Sequence, residues 1–546
     1  MLWSYLNKRQ LQENISEEYF ERFEKLLPIL LGDDHEPTEL YSKESLIKLF
    51  NAFAPINILN NQNFLFTIFN QLPEDKIRDL CELVGINNKD TFNNLVNKLS
   101  KLDLKDDKYC DNFIRWANLP EYFKPLKKHI PIKKEVVQSN YRPFKSLKDY
   151  QFSVYDRAMS LLETPRSRFV IQMPTGSGKT RTSMEIIVQH ILSQDNGGVY
   201  VWLAHSQELC EQSIECFKEV WVHLSDKPIT LCRCWGSNIS LPYDDSTTCF
   251  IVASFQGLYS LLRKNQIPFN EINSRVKIVI IDEAHKVIAP TYKKVTKALV
   301  GTESSVIGLT ATPGRSTSEL DENRELSEFF FNKILSIEPP KGKSVIDWLK
   351  NKKILSKVQY EPLLTNITYK LNKKTIRHLE TLYDFPAEFI SELGQDDLRN
   401  LEIVKRLENE LKTDSRVLFF ACSVDHSKFI CSILLYLGFK AAHIDGSTEE
   451  TIRKKNIDDF KEGKIQVLCN YGVLSTGFDA PQTDVVFISR PTASIVLYSQ
   501  MIGRGLRGPA IGGTSSCKII DVKDNIEGFP DQNLIYDYFE DYWDQD

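Results

Sequence analysis

The sequence predicts an α/β protein: two parallel-sheet units in tandem, preceded by an all-helical domain. Three observations carry this expectation. From residue 146 onward, short apolar runs such as Ile278-Val279-Ile280-Ile281 alternate with helix-compatible stretches, the pattern of parallel strands covered on both faces. The alternation pauses near residue 317 and resumes near 413, which gives two units. Before residue 140 glycines are few, and apolar residues recur at helical spacing, as in Tyr19, Phe20, Phe23, Leu26, Leu27 and Leu30.

In chain order, residues 1–140 form the helical accessory domain, with a break at Asp106 and Asp107 and interruptions at Pro120, Pro125 and Pro131. Ile130-Pro131-Ile132-Lys133-Lys134-Glu135 reads as a linker, so the domain is expected to fold by itself and to be attached, not woven in. It holds no catalytic constellation, and docking of a partner protein or of nucleic acid is the role left to it. The first unit, 146–317, has strands at Phe169–Met173, Val199–Leu203, Phe250–Ala253, Val276–Ile281 and Val306–Leu309. Residues 318–412 are charged and mostly helical, with a strand candidate near Val358-Gln359-Tyr360, and read as a connector carrying a hinge. The second unit, 413–525, has strands at Val417–Phe420, Ala441–Ile444, Ile465–Cys469, Val485–Ile488 and Lys518–Ile520. The tail, 526–546, alternates aromatics with acids, which favours packing on the body over a disordered acidic end.

Composition sets the class. The 546 residues are 42% hydrophobic and 26% charged, an ordinary globular balance with length for several cores. A net charge of −5 offers no bulk attraction to nucleic acid, so any basic surface must be local. The 11 cysteines form no CxxC pair and read as reduced thiols. No apolar run is long enough for a membrane span, and the first ten residues lack a signal-peptide pattern. A cytoplasmic protein without a membrane partner is expected.

The chemistry centres on Met173-Pro174-Thr175-Gly176-Ser177-Gly178-Lys179-Thr180, placed between an apolar strand and a helix. Gly176 and Gly178 permit a tight turn that aims backbone N–H groups at an anion. The following helix start adds its own unpaired N–H groups and positive dipole end. Lys179 can then reach the β- and γ-phosphates, and the Thr180 hydroxyl can ligate Mg²⁺. Met173 stands where the strict phosphate-loop pattern has glycine. Asp282-Glu283-Ala284-His285 follows the most apolar strand, at the carboxyl end where open α/β sheets hold ligands. Asp282 is placed to hold Mg²⁺ through water, and Glu283 to orient or deprotonate the attacking water.

With these motifs the chain resembles superfamily 2 helicases and translocases of the DEAH type, built on two RecA-like domains. The resemblance covers roughly residues 146–525 and rests on eight short motifs in order. It implies ATP and Mg²⁺ as cofactors, with Gln151 reading adenine and Thr175, Gly176, Ser177, Gly178, Lys179 and Thr180 cradling phosphates. Leu203–Leu209, containing His205, and Ala253-Ser254-Phe255-Gln256 resemble motifs that touch the nucleic-acid backbone. Ser206 stands where relatives often carry arginine. Thr310-Ala311-Thr312-Pro313 resembles the motif that couples hydrolysis to domain movement, and His285 is carried over with Thr310 and Thr312 in that role. In the second unit, Ala421-Cys422-Ser423-Val424 and Asp445-Gly446-Ser447-Thr448 fit further motifs. Ser475-Thr476-Gly477-Phe478-Asp479 fits the next. The resemblance places Ser423, Ser475 and Thr476 at nucleic acid, together with Ser254 and Gln256, and Gly477 and Asp479 at the nucleotide. Gln500-Met501-Ile502-Gly503-Arg504-Gly505-Leu506-Arg507 completes the set.

Arg504 and Arg507, three apart, are expected on one helix face, where a planar guanidinium can meet charge developing on the γ-phosphate. Within the superfamily the texture is similar to RadD-like DNA-repair ATPases and to motor subunits of type I restriction enzymes. The chain departs from the former by its helical N-terminal 140 residues and by its acidic, cysteine-poor end. The implied function is ATP-dependent movement on nucleic acid, DNA ahead of RNA, in repair or phage defence. The alternatives are an RNA helicase and an ATP-dependent switch or scaffold in a multi-protein defence complex.

Overall fold

The computed structural model describes residues 2–15, 17–31, 41–54, 57–104, 107–125, 133–138, 145–194, 197–236, 238–239, 248–264, 272–311, 320–382, 384–474, 482–492 and 494–527. Two sheets organise it. The first contains β1 (Lys134–Val137), β2 (Arg168–Gln172), β3 (Val199–Ala204), β4 (Ile229–Trp235), β5 (Asn238–Ile239), β6 (Cys249–Ser254), β7 (Val276–Asp282), β8 (Ser305–Thr310) and β9 (Ile334–Ser336). Its order is β1-β4-β6-β3-β7-β8-β2-β9, with β5 added to β4. Only β1 and β5 run antiparallel to their neighbours. The second sheet contains β10 (Lys357–Lys370), β11 (Val417–Phe420), β12 (Ala441–Ile444), β13 (Val467–Asn470), β14 (Val485–Ile488) and β15 (Ser516–Glu527), in the order β10-β15-β14-β11-β13-β12, all parallel. Central strands such as β3 and β6 are buried along their full length, which is why they read as unbroken apolar runs.

Each of the ten strands expected from the sequence is present. The expected connector is not a separate piece. Residues 318–412 give β9 to the first sheet and β10 to the second. The strand expected near Val358 runs to Lys370 beside β15. The helix Asp397–Leu411 belongs to the second unit because Arg399 ties it there. Arg399 is wholly buried and grips Asp524 of β15 with two nitrogens, each 2.9 Å from a carboxylate oxygen. Its guanidinium also donates to the Ser489 carbonyl and to Cys422 Sγ, while Thr365 of β10 donates to Asp524 at 2.8 Å. One charge pair thus joins a helix, two strands and two loops.

The N-terminal helices, from Lys8–Glu13 to Asp107–Ala117, close around Trp3. Its ring meets Phe50, Phe64 and Phe123 at centroid distances of 5.0, 5.8 and 5.5 Å, and its N–H donates to Asn51. The domain is helical as expected, but its core is not its own. Its apolar side chains merge with those of the second unit, including Leu401, Phe429 and Ile433, in one continuous cluster. A face that buries this much apolar surface is part of a core, not a detachable module. The expected linker differs too: Lys134 and Glu135 lie in β1 and pair with β4. The tail beyond residue 527 lies outside the described residues. Among the described residues no helix is long and apolar enough to cross a membrane.

Arg399→Ala leaves Asp524 buried without its cation and should destabilise the second unit by about 3–5 kcal/mol. Chemical denaturation of Arg399→Ala, Asp524→Ala and the double variant checks this: the double variant should lose less than the two single losses added together.

Candidate active site

The phosphate loop leaves β2 and enters the helix Lys179–Ser193. Gly176 and Gly178 have φ of +84° and +86°, the left-handed region that a side chain disfavours. Gly178 has a second reason to be glycine: a Cβ there would stand 2.3 Å from Gln151 Nε2. Ser177 Oγ donates to the Pro174 carbonyl at 2.7 Å and stiffens the turn. Met173 is fully buried, takes no positive φ, and donates its N–H to the Thr310 carbonyl at 3.1 Å. Glycine's freedom is therefore not needed at that position.

Gln151 is buried against this loop. Its Nε2 donates to the Ser177 carbonyl at 3.2 Å, and its Oε1 accepts from Lys148 N at 2.9 Å. Tyr150 adds a 2.7 Å bond from its hydroxyl to the same carbonyl. Sequence reading missed Tyr150, because a phenol one residue before the glutamine carries no motif signal of its own.

Asp282 ends β7, and Glu283 follows with φ 54° and ψ 58°, a left-handed conformation uncommon for a side-chain residue. The turn is held by Glu283 N donating to Asp282 Oδ1 at 3.0 Å. His285 Nδ1 stands 3.4 Å from Glu283 Oε2. Burial, then the Glu283 charge, push the Asp282 carboxyl above its ordinary value. Burial acts the same way on Glu283, but Lys179, His285 and His205 outweigh it and hold this carboxyl below its ordinary value. Burial also lowers His205 to about 4, so its imidazole is neutral near pH 7.

The second unit closes the site. Arg504 is half-buried in the cleft; loss of solvent lowers it to about 10, and the charges of Glu283 and Asp282 act on it from the other sheet. Its Nε donates to the Gln500 carbonyl at 3.1 Å. Gln500 is 8% exposed, and its Nε2 has no hydrogen-bond partner among the described residues. Arg507 is also lowered to about 10 by burial, against a smaller opposing effect of Cys216. The two arginines do not share a helix face. The helix Ile495–Ile502 ends at Gly503, and Arg507 forms a β-bridge with Leu355. The reason lies in the glycines: a Cβ at Gly505 would stand 2.1 Å from Cys517 Sγ, so the chain turns where only glycine fits. A Cβ at Gly503 would stand 2.2 Å from Thr175 Cγ2, so this turn rests directly on the phosphate loop.

The strand-end motifs lie together. Ala204 of β3 pairs with Ser254 of β6, which brings His205 beside Ser254. Ser206, Ser254 and Ser423 each cap a helix, accepting from Leu209 N, Gly257 N and His426 N at 3.3, 3.0 and 3.0 Å. The serine found where relatives carry arginine is thus a helix cap. Gln256 is exposed, and Thr310 is buried at the end of β8 beside β2. A further contact crosses the units: Arg453 pairs with Glu208 and donates to the Thr448 carbonyl at 3.0 Å. No sequence signal could join residues 245 apart. Thr312, Ser475, Thr476, Gly477 and Asp479 lie outside the described residues.

Two family models match. "Type III restriction enzyme, res subunit" covers residues 144–315, and "Helicase conserved C-terminal domain" covers 399–508. The chain belongs to superfamily 2 of the helicases. A 51.5 kDa protein of a Lactococcus phage is 28% identical to this helicase over 68% of the chain and 70% of its own length. The putative mitochondrial ATP-dependent helicase irc3 of Schizosaccharomyces pombe is 28% identical over 70% of the chain and 58% of its own length. The Saccharomyces cerevisiae IRC3 helicase is 27% identical over 69% and 51%. The chain therefore spans little more than half of the two yeast relatives. Among solved structures, the DNA-bound DUF1998 helicase MrfA aligns with a TM-score of 0.50 at 15% identity, over 75% of the chain and 53% of its own, a likeness of fold.

If Gly503 is the contact that seats the second unit on the phosphate loop, Gly503→Ala should lower kcat for ATP by about 10²-fold, the scale of an ångström-sized misplacement. Nucleotide binding to the first unit should persist. Adding Thr175→Ser removes the clashing methyl and should restore part of the rate in a steady-state ATPase assay. An unchanged kcat in Gly503→Ala would remove this contact from the working site.

Proposed function

We propose that this helicase hydrolyses ATP to move along nucleic acid, DNA in preference to RNA. The observation that carries the reading is Arg504: it comes from the second unit, yet the acids acting on it, Asp282 and Glu283, belong to the first. A site divided in this way is complete only when the units close, so the nucleotide state and the cleft are linked. The match of residues 144–315 to a restriction-enzyme subunit model supports DNA.

The residues fit the chemistry. The phosphate loop and Lys179 bind and orient the phosphates. A carboxylate raised by burial and then by an acidic neighbour, as Asp282 is, suits a cation, and Thr180 and Asp282 would hold Mg²⁺ there. The ion supplies charge neutralisation when bound. Glu283, held ionised, is placed to accept a proton from the attacking water, and His285 orients it. Arg504 meets the charge on the transferred phosphoryl group, a role worth about 10³–10⁵ in rate in related enzymes. Gln500, with its orphaned buried amide nitrogen, suits an anionic oxygen in the same cleft. Gln151 is proposed to read adenine while bracing the loop.

Grip on nucleic acid is assigned to His205, Ser254, Gln256 and Ser423, with Ser475 and Thr476. The capped helix starts behind Ser254 and Ser423 present N–H groups and a positive dipole end, a sequence-independent fit to phosphate.

An ATPase assay without nucleic acid and with single-stranded DNA, duplex DNA or RNA tests the proposal, DNA giving the larger stimulation. Lys179→Ala should weaken ATP binding. Glu283→Gln should keep ATP binding but turn over about 10²–10⁴-fold more slowly, trapping a nucleic-acid-bound state. Equal loss of ATP binding in both variants would sink the assigned roles, and stimulation by RNA alone would reverse the substrate.

A further inference from the structure

We propose that Leu355, with the short segment that carries it, is a positioning residue of the hydrolysis: it seats the turn bearing Arg504 on the phosphate loop. The inference rests on the reading that Arg504 meets the transferred phosphoryl group. Leu355 lies between β9 and β10, outside every motif read from the sequence.

Residues 353–356 are bound to the arginine turn as one strand is bound to another. Ser356 N donates to the Leu506 carbonyl at 3.0 Å, Gly508 N to the Ile354 carbonyl at 2.8 Å, and Ala510 N to the Lys353 carbonyl at 2.9 Å. Leu355 and Arg507 face each other in this antiparallel bridge. The Ser356 hydroxyl adds a bond to the Arg507 carbonyl. Both backbones are restricted by so close an approach. A Cβ at Gly508 would collide with the Lys353 carbonyl, and Lys353 itself takes a φ of 58°. A left-handed lysine persists only where its surroundings hold it. Segment and turn therefore move as one piece.

This piece rests on three consecutive residues of the phosphate loop. Gly503 stands against Thr175. Leu355 stands against Gly176: its Cδ2 lies 3.4 Å from the point a Cβ would occupy there, and the Leu506 carbonyl lies 3.6 Å from the same point. The helix Val345–Asn351, which leads into the segment, places Trp348 edge-on to Tyr150 at 6.3 Å, and Tyr150 holds the Ser177 carbonyl. The three contacts are not equivalent. A turn seated on Thr175 alone can rock about that point, and Arg504, next to Gly503, rocks with it. Trp348 reaches the loop only through a second ring. Leu355 gives the turn its second direct point of support. Gly176 needs its positive φ and so leaves a hollow on the loop surface, which Leu355, 2% exposed, fills from the other side. A close-packed contact of this kind passes a displacement on and does not absorb it. Without the isobutyl group the turn tilts or settles toward the loop, and Arg504 meets the phosphoryl group off its line. The nucleotide, held by the first unit, stays bound.

The test compares Leu355→Ala, Arg504→Ala and the double variant of the full chain. Steady-state ATPase assays give kcat, and titration with a fluorescent ATP analogue gives Kd. Leu355→Ala should lower kcat about 10- to 10²-fold, the scale of an ångström-sized misplacement, and leave Kd within about threefold. Leu355→Met, close in volume, should keep most of the rate. The double variant should be no slower than Arg504→Ala alone, because a residue that places a missing group has nothing left to place. If kcat in Leu355→Ala is unchanged, or if the two losses multiply, Leu355 serves only the core and the proposal falls. If Arg504→Ala keeps its full rate, the arginine reading falls and takes the positioning with it, whereas a multiplied loss sinks the positioning alone. Ser356→Ala covers a Leu355→Ala chain that does not fold. It removes one oxygen from the same bridge and should show a smaller loss of kcat, an unchanged Kd and no further loss beside Arg504→Ala. A Ser356→Ala loss that multiplies with Arg504→Ala overturns the proposal equally.

Discussion

The charges of Asp282 and Glu283 act on Arg504 across the cleft between the two sheets, and much of the molecule bears on the width of that cleft. Glycine at 503 lets the turn carrying Arg504 rest on Thr175. The Ser356 hydroxyl donates to the Arg507 carbonyl at 2.5 Å, and the Gly508 N–H donates to the Ile354 carbonyl at 2.8 Å, so the segment entering β10 travels with that turn. Glu208 and Arg453 clasp the two units elsewhere. A guanidinium can neutralise a phosphoryl transition state only at contact distance, so a rate that depends on Arg504 is a rate that depends on closure.

The unit that closes has to move as one body. Arg399 and Asp524 provide for this on the second unit, because a buried bidentate pair cannot be opened without stranding a charge in the core. The pair lies between the helix that seats the N-terminal domain and the strand that leads from the arginine turn, so both are fixed to one frame. The N-terminal domain extends that frame.

What was legible in the sequence follows from range. The phosphate loop, the acid pair after β7 and the ten strands expected are local patterns, fixed by glycine positions and by unbroken apolar runs. Strand β4 is hard to read because Cys232-Arg233-Cys234 interrupts its apolar pattern, although Arg233 is buried by pairing with Glu135 of β1. The length of β10 is not legible because Pro362, Thr365 and Asn366 break the pattern, and pairing with β15 overrides them. The seat of the helical domain was invisible. Phe23 and Tyr436 are 413 positions apart, and an apolar helix face does not say which surface covers it.

The departures from the family pattern separate positions constrained by backbone from positions constrained by chemistry. Gly176 and Gly178 carry positive φ, so no other residue serves equally well there. Met173 occupies a glycine position whose φ is not positive and whose side chain enters the core, so the substitution removes nothing the loop uses. Ser206 replaces a long cation with a helix cap, which trades one possible phosphate contact for a fixed helix start beside His205. On the proposed reading, the first-unit grip comes from backbone N–H groups and short hydroxyls, which read the spacing of phosphates and not the identity of bases. On the proposed reading, a motor built this way holds its track by geometry, and its force on the track is set by how firmly the two sheets are held together.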